Sequence, residues 1–191
     1  RMFAPEILCQ SPKHRARAAW ELPLPHLKPL AEQCLARNIR FSCTPFYLDA
    51  VAELEPFVDF YKVASYELLV DDLLAACART GKPIVLSTGM ATMDEIAHAA
   101  ATLKDAGARD VTLLHCVSAY PTPAAEANLS AIAAIRAATG LPVGWSDHTR
   151  RPAVIERAVH HWGAPCVEFH LDLDGEGAEY AAGHCWLPHE I

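Results

Sequence analysis

The sequence predicts an α/β fold, with short parallel strands alternating with helices in a (β/α)8 TIM-type barrel. Three observations predict it. Apolar strand-like runs alternate with amphipathic helix-like segments from about Leu27 onward. Three junctions share one punctuation: Gly81-Lys82-Pro83, Gly140-Leu141-Pro142 and Gly163-Ala164-Pro165. Six of the strand-like runs end in polar, chemically useful side chains, and in a barrel the C-terminal strand ends converge on one mouth. A doubly wound open sheet is the rival, and no Gly-x-Gly-x-x-Gly loop supports it.

Residues 1–25 are rich in proline and charge and are expected to form a loop-like lead-in. Strands are expected over 39–43, 60–64, 84–87, 111–115, 143–145 and 166–169, most of them apolar on both faces as buried parallel strands are. Helices are expected over 67–80, 93–106, 125–139 and 152–162. The second opens on Thr92 with Glu95 three residues on, a capping box. At each Gly-x-Pro junction, glycine closes the helix and proline bars its continuation. Gly107 closes the helix before the 111–115 strand without a proline. A complete barrel takes about 250 residues. Six expected strands in 191 residues therefore read as a partial barrel domain over 1–191. Two upstream strands are expected to be missing, and 173–191 forms a divergent tail.

The chain is 52% hydrophobic and 20% charged, with mean hydropathy +0.10, the profile of one soluble domain with a substantial core. No run approaches the roughly 18 apolar residues of a membrane span, and Arg1–Gln10 lacks a signal-peptide layout. Sixteen basic against 23 acidic residues give a net charge of −7 with no basic stripe, which argues against a nucleic-acid partner. Seven cysteines, without a C-x-x-C pair, read as small buried hydrophobes in a reducing compartment, so a cytoplasmic location is expected.

The strand ends carry the chemistry. Asp147-His148 and Glu168-x-His170 end adjacent strands. Neutral imidazoles beside carboxylates suit Mn²⁺, Zn²⁺ or Fe²⁺ with positions left for substrate; the alternative is two hydrogen-bonded histidines. Lys62 interrupts an apolar strand, and a buried lysine needs an anionic partner, a carboxylate or a phosphate. Thr44, Ser65, Ser87, Thr88 and Gly89 add hydroxyls and a flexible backbone suited to oxyanions. His115 and Tyr120 flank another strand end and either orient a polar substrate or serve as a core histidine and a loop aromatic. His184 is left open, and Cys116 is noted at a strand end.

With these residues in hand, the chain resembles the sialic acid (N-acetylneuraminate) synthase family, which includes legionaminic and pseudaminic acid synthases. The matching stretches are Phe41-Ser-Cys-Thr-Pro-Phe46, Phe60-Tyr-Lys-Val-Ala-Ser65, Gly81-Lys-Pro-Ile-Val-Leu-Ser-Thr-Gly-Met90, Leu113-Leu-His-Cys116 with Tyr120-Pro121, Gly144-Trp-Ser-Asp-His-Thr149, and Glu168-x-His170. The resemblance implies condensation of phosphoenolpyruvate with an N-acetylated hexosamine such as N-acetylmannosamine. The products are a nine-carbon 2-keto sugar acid and phosphate. It implies a divalent cation, Mn²⁺ or Mg²⁺, on His148 and His170, with Glu168 and His148 in the catalytic apparatus. Thr44, Lys62, Ser65, Ser87 and Ser146 would hold phosphoenolpyruvate, and Glu67 and Tyr120 would face the sugar. A homodimer is implied for the full-length protein.

Departures from the family pattern are Cys43 before Thr44, Tyr47, Tyr66, Ser118 and Phe169, with no recognisable Gly-Pro-Asp-His after Asp172. Family members also carry a catalytic glutamate and a Lys-x-Gln pair on earlier strands, so these 191 residues alone are expected to be weak or inactive. Two alternatives remain open. A metal-dependent barrel hydrolase would carry His-x-His on its first strand. A non-catalytic degenerate barrel would fail to bind metal at His148 and His170.

Overall fold

The computed structural model describes residues 5–191. Among them seven parallel strands lie side by side in chain order. They are β1 (Ser42–Cys43), β2 (Phe60–Val63), β3 (Ile84–Ser87), β4 (Val111–Cys116), β5 (Val143–Asp147), β6 (Val167–Leu171) and β7 (Cys185–Trp186). Helices α4 (Leu48–Leu54), α5 (Asp71–Arg79), α6 (Met93–Asp105), α7 (Ala131–Thr139), α8 (Pro152–His160) and α9 (Ala178–Ala181) connect successive strands, and α3 (Leu27–Ala36) precedes β1. Each of the first six strands is thus followed by a crossover helix, as parallel pairing requires. Helix α6 starts where the capping box places it: the Glu95 N–H donates to Thr92 Oγ1, and the Thr92 N–H donates to the Glu95 carboxylate. At the end of α7, Gly140 takes φ 71°, the left-handed turn expected before Pro142.

Three expectations are corrected. The lead-in is not a loop: α1 (Pro5–Gln10) and α2 (Pro12–Ala18) occupy most of it. Each begins on a proline, which lacks only an N–H that the first helical turn leaves unpaired anyway. The strand count is seven, because the tail adds β7. Strand β1 is two residues long, shorter than the 39–43 run suggested.

Strand side chains alternate between two faces, and here the alternation separates packing from chemistry. Tyr61, Val63, Leu86, Leu113 and Trp145 point to the helix layer and are fully buried. There they join Leu74, Leu103 and Ile132 from the helices in one core, each such side chain contributing about 1.5–3 kcal/mol. The residues between them, Lys62, Ser87, Cys116, Ser146, Glu168 and His170, share the opposite face. Registers confirm it, because partners opposite one another in a parallel pair lie on one side. Cys116 pairs with Ser146, Ser146 with Glu168, and His170 with Cys185.

The sheet is strongly curled around that second face. Lys62 on β2 and Glu168 on β6 are four strand spacings apart, about 19 Å in a flat sheet at ~4.8 Å per spacing. Their Nζ and Oε2 atoms lie 3.3 Å apart. Only a sheet rolled into a partial barrel brings these strands face to face. Among the described residues, no helix is long and apolar enough to cross a membrane.

Candidate active site

A cavity of about 330 Å³ opens on the concave face, lined among others by Thr44, Lys62, Ser65, Ser87, Tyr120, Ser146, His148, Glu168 and His170. Nine of the ten predicted site residues therefore meet around one space. Glu67 does not line it. It sits in a single 3-10 turn after β2, one carboxylate oxygen buried without a partner, and burial raises its pKa.

One wall is built for anions. Lys62 is largely enclosed, and its ammonium pairs with Glu168 and donates to the Val63 carbonyl. Glu168 is held at both oxygens, since Oε1 accepts from Ser146 Oγ at 2.8 Å. Ser65 Oγ accepts the Gly89 N–H at 3.0 Å and lies 3.3 Å from Cys116 Sγ. A Cβ at Gly89 would come within 2.6 Å of Ser118 Oγ and 2.8 Å of Cys116 Sγ, so only glycine lets the β3 loop close on this wall. The Ser87 hydroxyl is buried with no partner at all. A donor left unpaired in the interior costs stability unless a ligand takes it up. Burial pushes the Cys116 thiol up, which keeps it protonated.

The opposite wall is a histidine cluster around Tyr120. The Tyr120 ring lies 4.1 Å from that of His148, and meets His170 and His184 edge-on at 5.7 and 5.1 Å. His148 Nδ1 sits 2.7 Å from the Val117 carbonyl, so Nδ1 carries the proton and Nε2 keeps its lone pair. Burial lowers the pKa of His148. Burial, reinforced by the neighbouring His148 and His184, lowers that of His170. Neutral imidazoles with free nitrogens are the form that ligates a cation.

Three predicted strand-end groups face away. Thr88 Oγ1 donates to the Leu114 carbonyl. His115 Nε2 is 3.0 Å from the Ala127 carbonyl and packs on Trp145. Asp147 accepts from Trp145 Nε1, Trp186 Nε1 and Thr149 Oγ1, and so ties β5 to β7. His115 is a core histidine, and Asp147 is no metal-site carboxylate. Both stand on odd positions, and strand parity sends them to the helix layer.

The sequence marked Ser118, which lines the cavity, only as a departure and left His184 open, and it gave Cys185 no part in a site. One nitrogen from His170, one from His184 and Cys185 Sγ lie within 4.8 Å of one another. A polar His-Cys beside a tryptophan, at strand spacing after a glycine, was the available signal. A second cavity of about 480 Å³ lies behind the Tyr120–Pro121 turn, lined by Arg150, Arg151 and Glu190 among others. It contains none of the predicted site residues, and Arg150 there is paired with Glu190 at 2.5 Å.

The profile of the NeuB family matches residues 8–191. The chain is 40% identical over 157 residues to the N,N'-diacetyllegionaminic acid synthase of Campylobacter jejuni, covering 81% of this chain and 47% of that protein. The crystal structure of N-acetylneuraminic acid synthetase from Leptospira borgpetersenii superposes with a TM-score of 0.82 at 32% identity, over 89% of this chain and 59% of that one. The spore coat polysaccharide biosynthesis protein SpsE of Bacillus subtilis superposes equally well, with TM-score 0.82 at 29% identity, over 89% and 48%. The chain spans about half the length of the curated relatives it matches.

Proposed function

The chain belongs to the NeuB family, and we propose that it provides the phosphoenolpyruvate and metal half of a sugar acid synthase site within a (β/α)8 barrel. The reaction joins phosphoenolpyruvate to an N-acetylated hexosamine and releases phosphate. Carbon 3 of phosphoenolpyruvate attacks the sugar aldehyde carbon, water adds at carbon 2, and the C–O bond to phosphate then breaks. The observation that carries this reading is the two-walled cavity, with Lys62 and four hydroxyls opposite paired neutral histidines.

Lys62, Ser65 and Ser87 hold the phosphate, and Thr44 and Ser146 hold the carboxylate. Lys62 supplies a fixed positive charge in a low-dielectric wall, where it attracts an anion more strongly than in water. Glu168 keeps that lysine extended before substrate arrives. His148 and His170 fit a divalent cation, because His148 is locked by Val117 with Nε2 free. When bound, such a cation polarises the aldehyde oxygen as a Lewis acid. Tyr120 shields the histidines and faces the sugar, whereas Glu67 stands outside the cavity lining, near Lys62.

Calorimetric titration with phosphoenolpyruvate tests the binding wall. Binding is expected, with Lys62→Met weakening it at least about tenfold, since charge-assisted bonds are worth roughly 1.5–3 kcal/mol. Absence of binding by the unaltered chain refutes the reading. Metal analysis of His148→Ala and His170→Ala is expected to show lost cation. Phosphate release with N-acetylmannosamine and Mn²⁺ tests turnover, expected to be slow for these 191 residues by themselves.

A further inference from the structure

The geometry points to His184 and Cys185 as ligands of the cation alongside His170, giving a nitrogen–sulfur site suited to a zinc-class ion rather than Mg²⁺. The inference rests on the metal reading above and changes its ligand set and its metal.

His184 is 2% exposed, and neither ring nitrogen has a hydrogen-bond partner. The Glu179 carboxylate approaches Nε2 to 3.1 Å but is not aligned for a hydrogen bond, which leaves Nδ1 wholly unengaged. A buried imidazole without a partner is costly, and a ligand on the ring removes that cost. A slight turn of the ring would align Glu179 with the other nitrogen, in the place of the carboxylate that orients metal-bound histidines.

Cys185 stands directly opposite His170 in the β6–β7 register, so both side chains leave the sheet on the concave face. Its sulfur and the two histidine nitrogens lie within 4.8 Å of one another. Around a tetrahedral ion, with bonds of about 2.05 and 2.3 Å, such donors sit roughly 3.3–3.6 Å apart. A small inward adjustment closes that gap. The strand is anchored for it: Trp186 donates to Asp147, and the Asp172 N–H donates to the Trp186 carbonyl. Thiolate is a soft donor that favours zinc, iron or cobalt, whereas Mg²⁺ takes oxygen ligands. On binding, the thiol proton passes to solvent as the sulfur–metal bond forms.

Cobalt(II) titration of the intact chain, followed by absorption, is the test. We expect a thiolate-to-cobalt charge-transfer band in the near ultraviolet that Cys185→Ser abolishes, although the chain carries seven cysteines. His184→Gln should weaken cobalt binding at least about tenfold, because even outer-sphere partners are worth 10–100-fold. Magnesium in large excess should leave the band in place. Cobalt binding without the band, a band that survives Cys185→Ser, or no cobalt binding overturns the proposal. Binding without a band that still requires His148 and His170 overturns it while the two-histidine site stands. A Cys185-dependent band that His148→Ala leaves intact supports it while removing His148 from the ligand set. Absence of the band in the unaltered protein overturns the proposal with no variant at all, and a Cys185→Ser protein counts as having lost it only if its circular dichroism matches the parent's.

Discussion

Ser87 and Thr88 are adjacent hydroxyls at one strand end, and the structure gives them opposite jobs. Ser87 is 3% exposed and its Oγ has no partner, whereas Thr88 Oγ1 donates to the Leu114 carbonyl at 3.0 Å. Ser87→Ala removes a buried group that makes no bond in the free protein. Its stability cost is therefore near zero, or a gain of up to about 1 kcal/mol. Thr88→Val keeps the shape and removes one of two bonds to the Leu114 carbonyl, which still accepts the Thr88 N–H at 2.9 Å, at a cost of about 0.5–1.5 kcal/mol. For a domain of this size that lowers Tm by roughly 1–6 °C. Binding should sort the other way. If Ser87 donates to the phosphate of phosphoenolpyruvate, losing a hydrogen bond to a charged group removes about 1.5–3 kcal/mol, or roughly 13- to 160-fold in Kd. Thr88→Val, on the other face, should leave Kd unchanged. Thermal unfolding and calorimetry on the two variants make the comparison. A Ser87→Ala protein that loses more than about 1 kcal/mol of stability, or binds as tightly as its parent, would refute the reasoning.

Gly144→Ala places a Cβ 2.6 Å from the Cys166 carbonyl and 2.8 Å from Leu114 Cδ2, and a backbone oxygen cannot step aside. A loss of about 2–3 kcal/mol is expected in denaturant unfolding, and an unaltered midpoint would show that β5 has slack. Glu168→Gln removes the negative charge beside Lys62. The isostere should tighten phosphoenolpyruvate binding about fivefold, equivalent to ~1 kcal/mol, and weaker binding in calorimetry would contradict the anion assignment. His115, His148 and His170 all have pKa values lowered by burial. The unfolded chain then binds protons more readily, so metal-free stability should fall as pH drops below about 6.5 and stay level above it. His115→Gln should flatten part of that slope in pH-dependent unfolding, and a stability that rises on acidification over this range would reverse the sign.

The helix-to-strand junctions were legible in the sequence because Gly140 and its counterparts announce a left-handed stop that few other residues accept. Nine of the ten predicted residues line one cavity, and the signal that picked most of them out was a polar side chain at or beside the end of an apolar run, with Lys62 interrupting one. Parity was the harder signal. His115 and Asp147 end their strands as Ser146 and His148 do, yet one residue of offset turns them into the helix layer. The tail was illegible for a different reason: Cys185–Trp186 is too short to show periodicity, and what secures it is long-range, pairing with β6 and the hydrogen bond from Trp186 to Asp147. The helices of the lead-in were hidden by their own opening prolines, which signal a break unless read as first-turn residues.

The alternation along β5 sets how this family can vary over generations. Trp145 and Asp147 hold the helix layer together, while Ser146 and His148 serve the cavity between them. Deleting a single residue within the strand would exchange the two sets, sending a tryptophan into the cavity and a histidine into the core. Lineages can therefore alter this site by exchanging one side chain for another at fixed positions, whereas gains and losses of length must fall in the loops after each strand. A change of sugar is expected to be written in residues such as Tyr66 and Ser118, at the rim, where the reading frame of the sheet no longer applies.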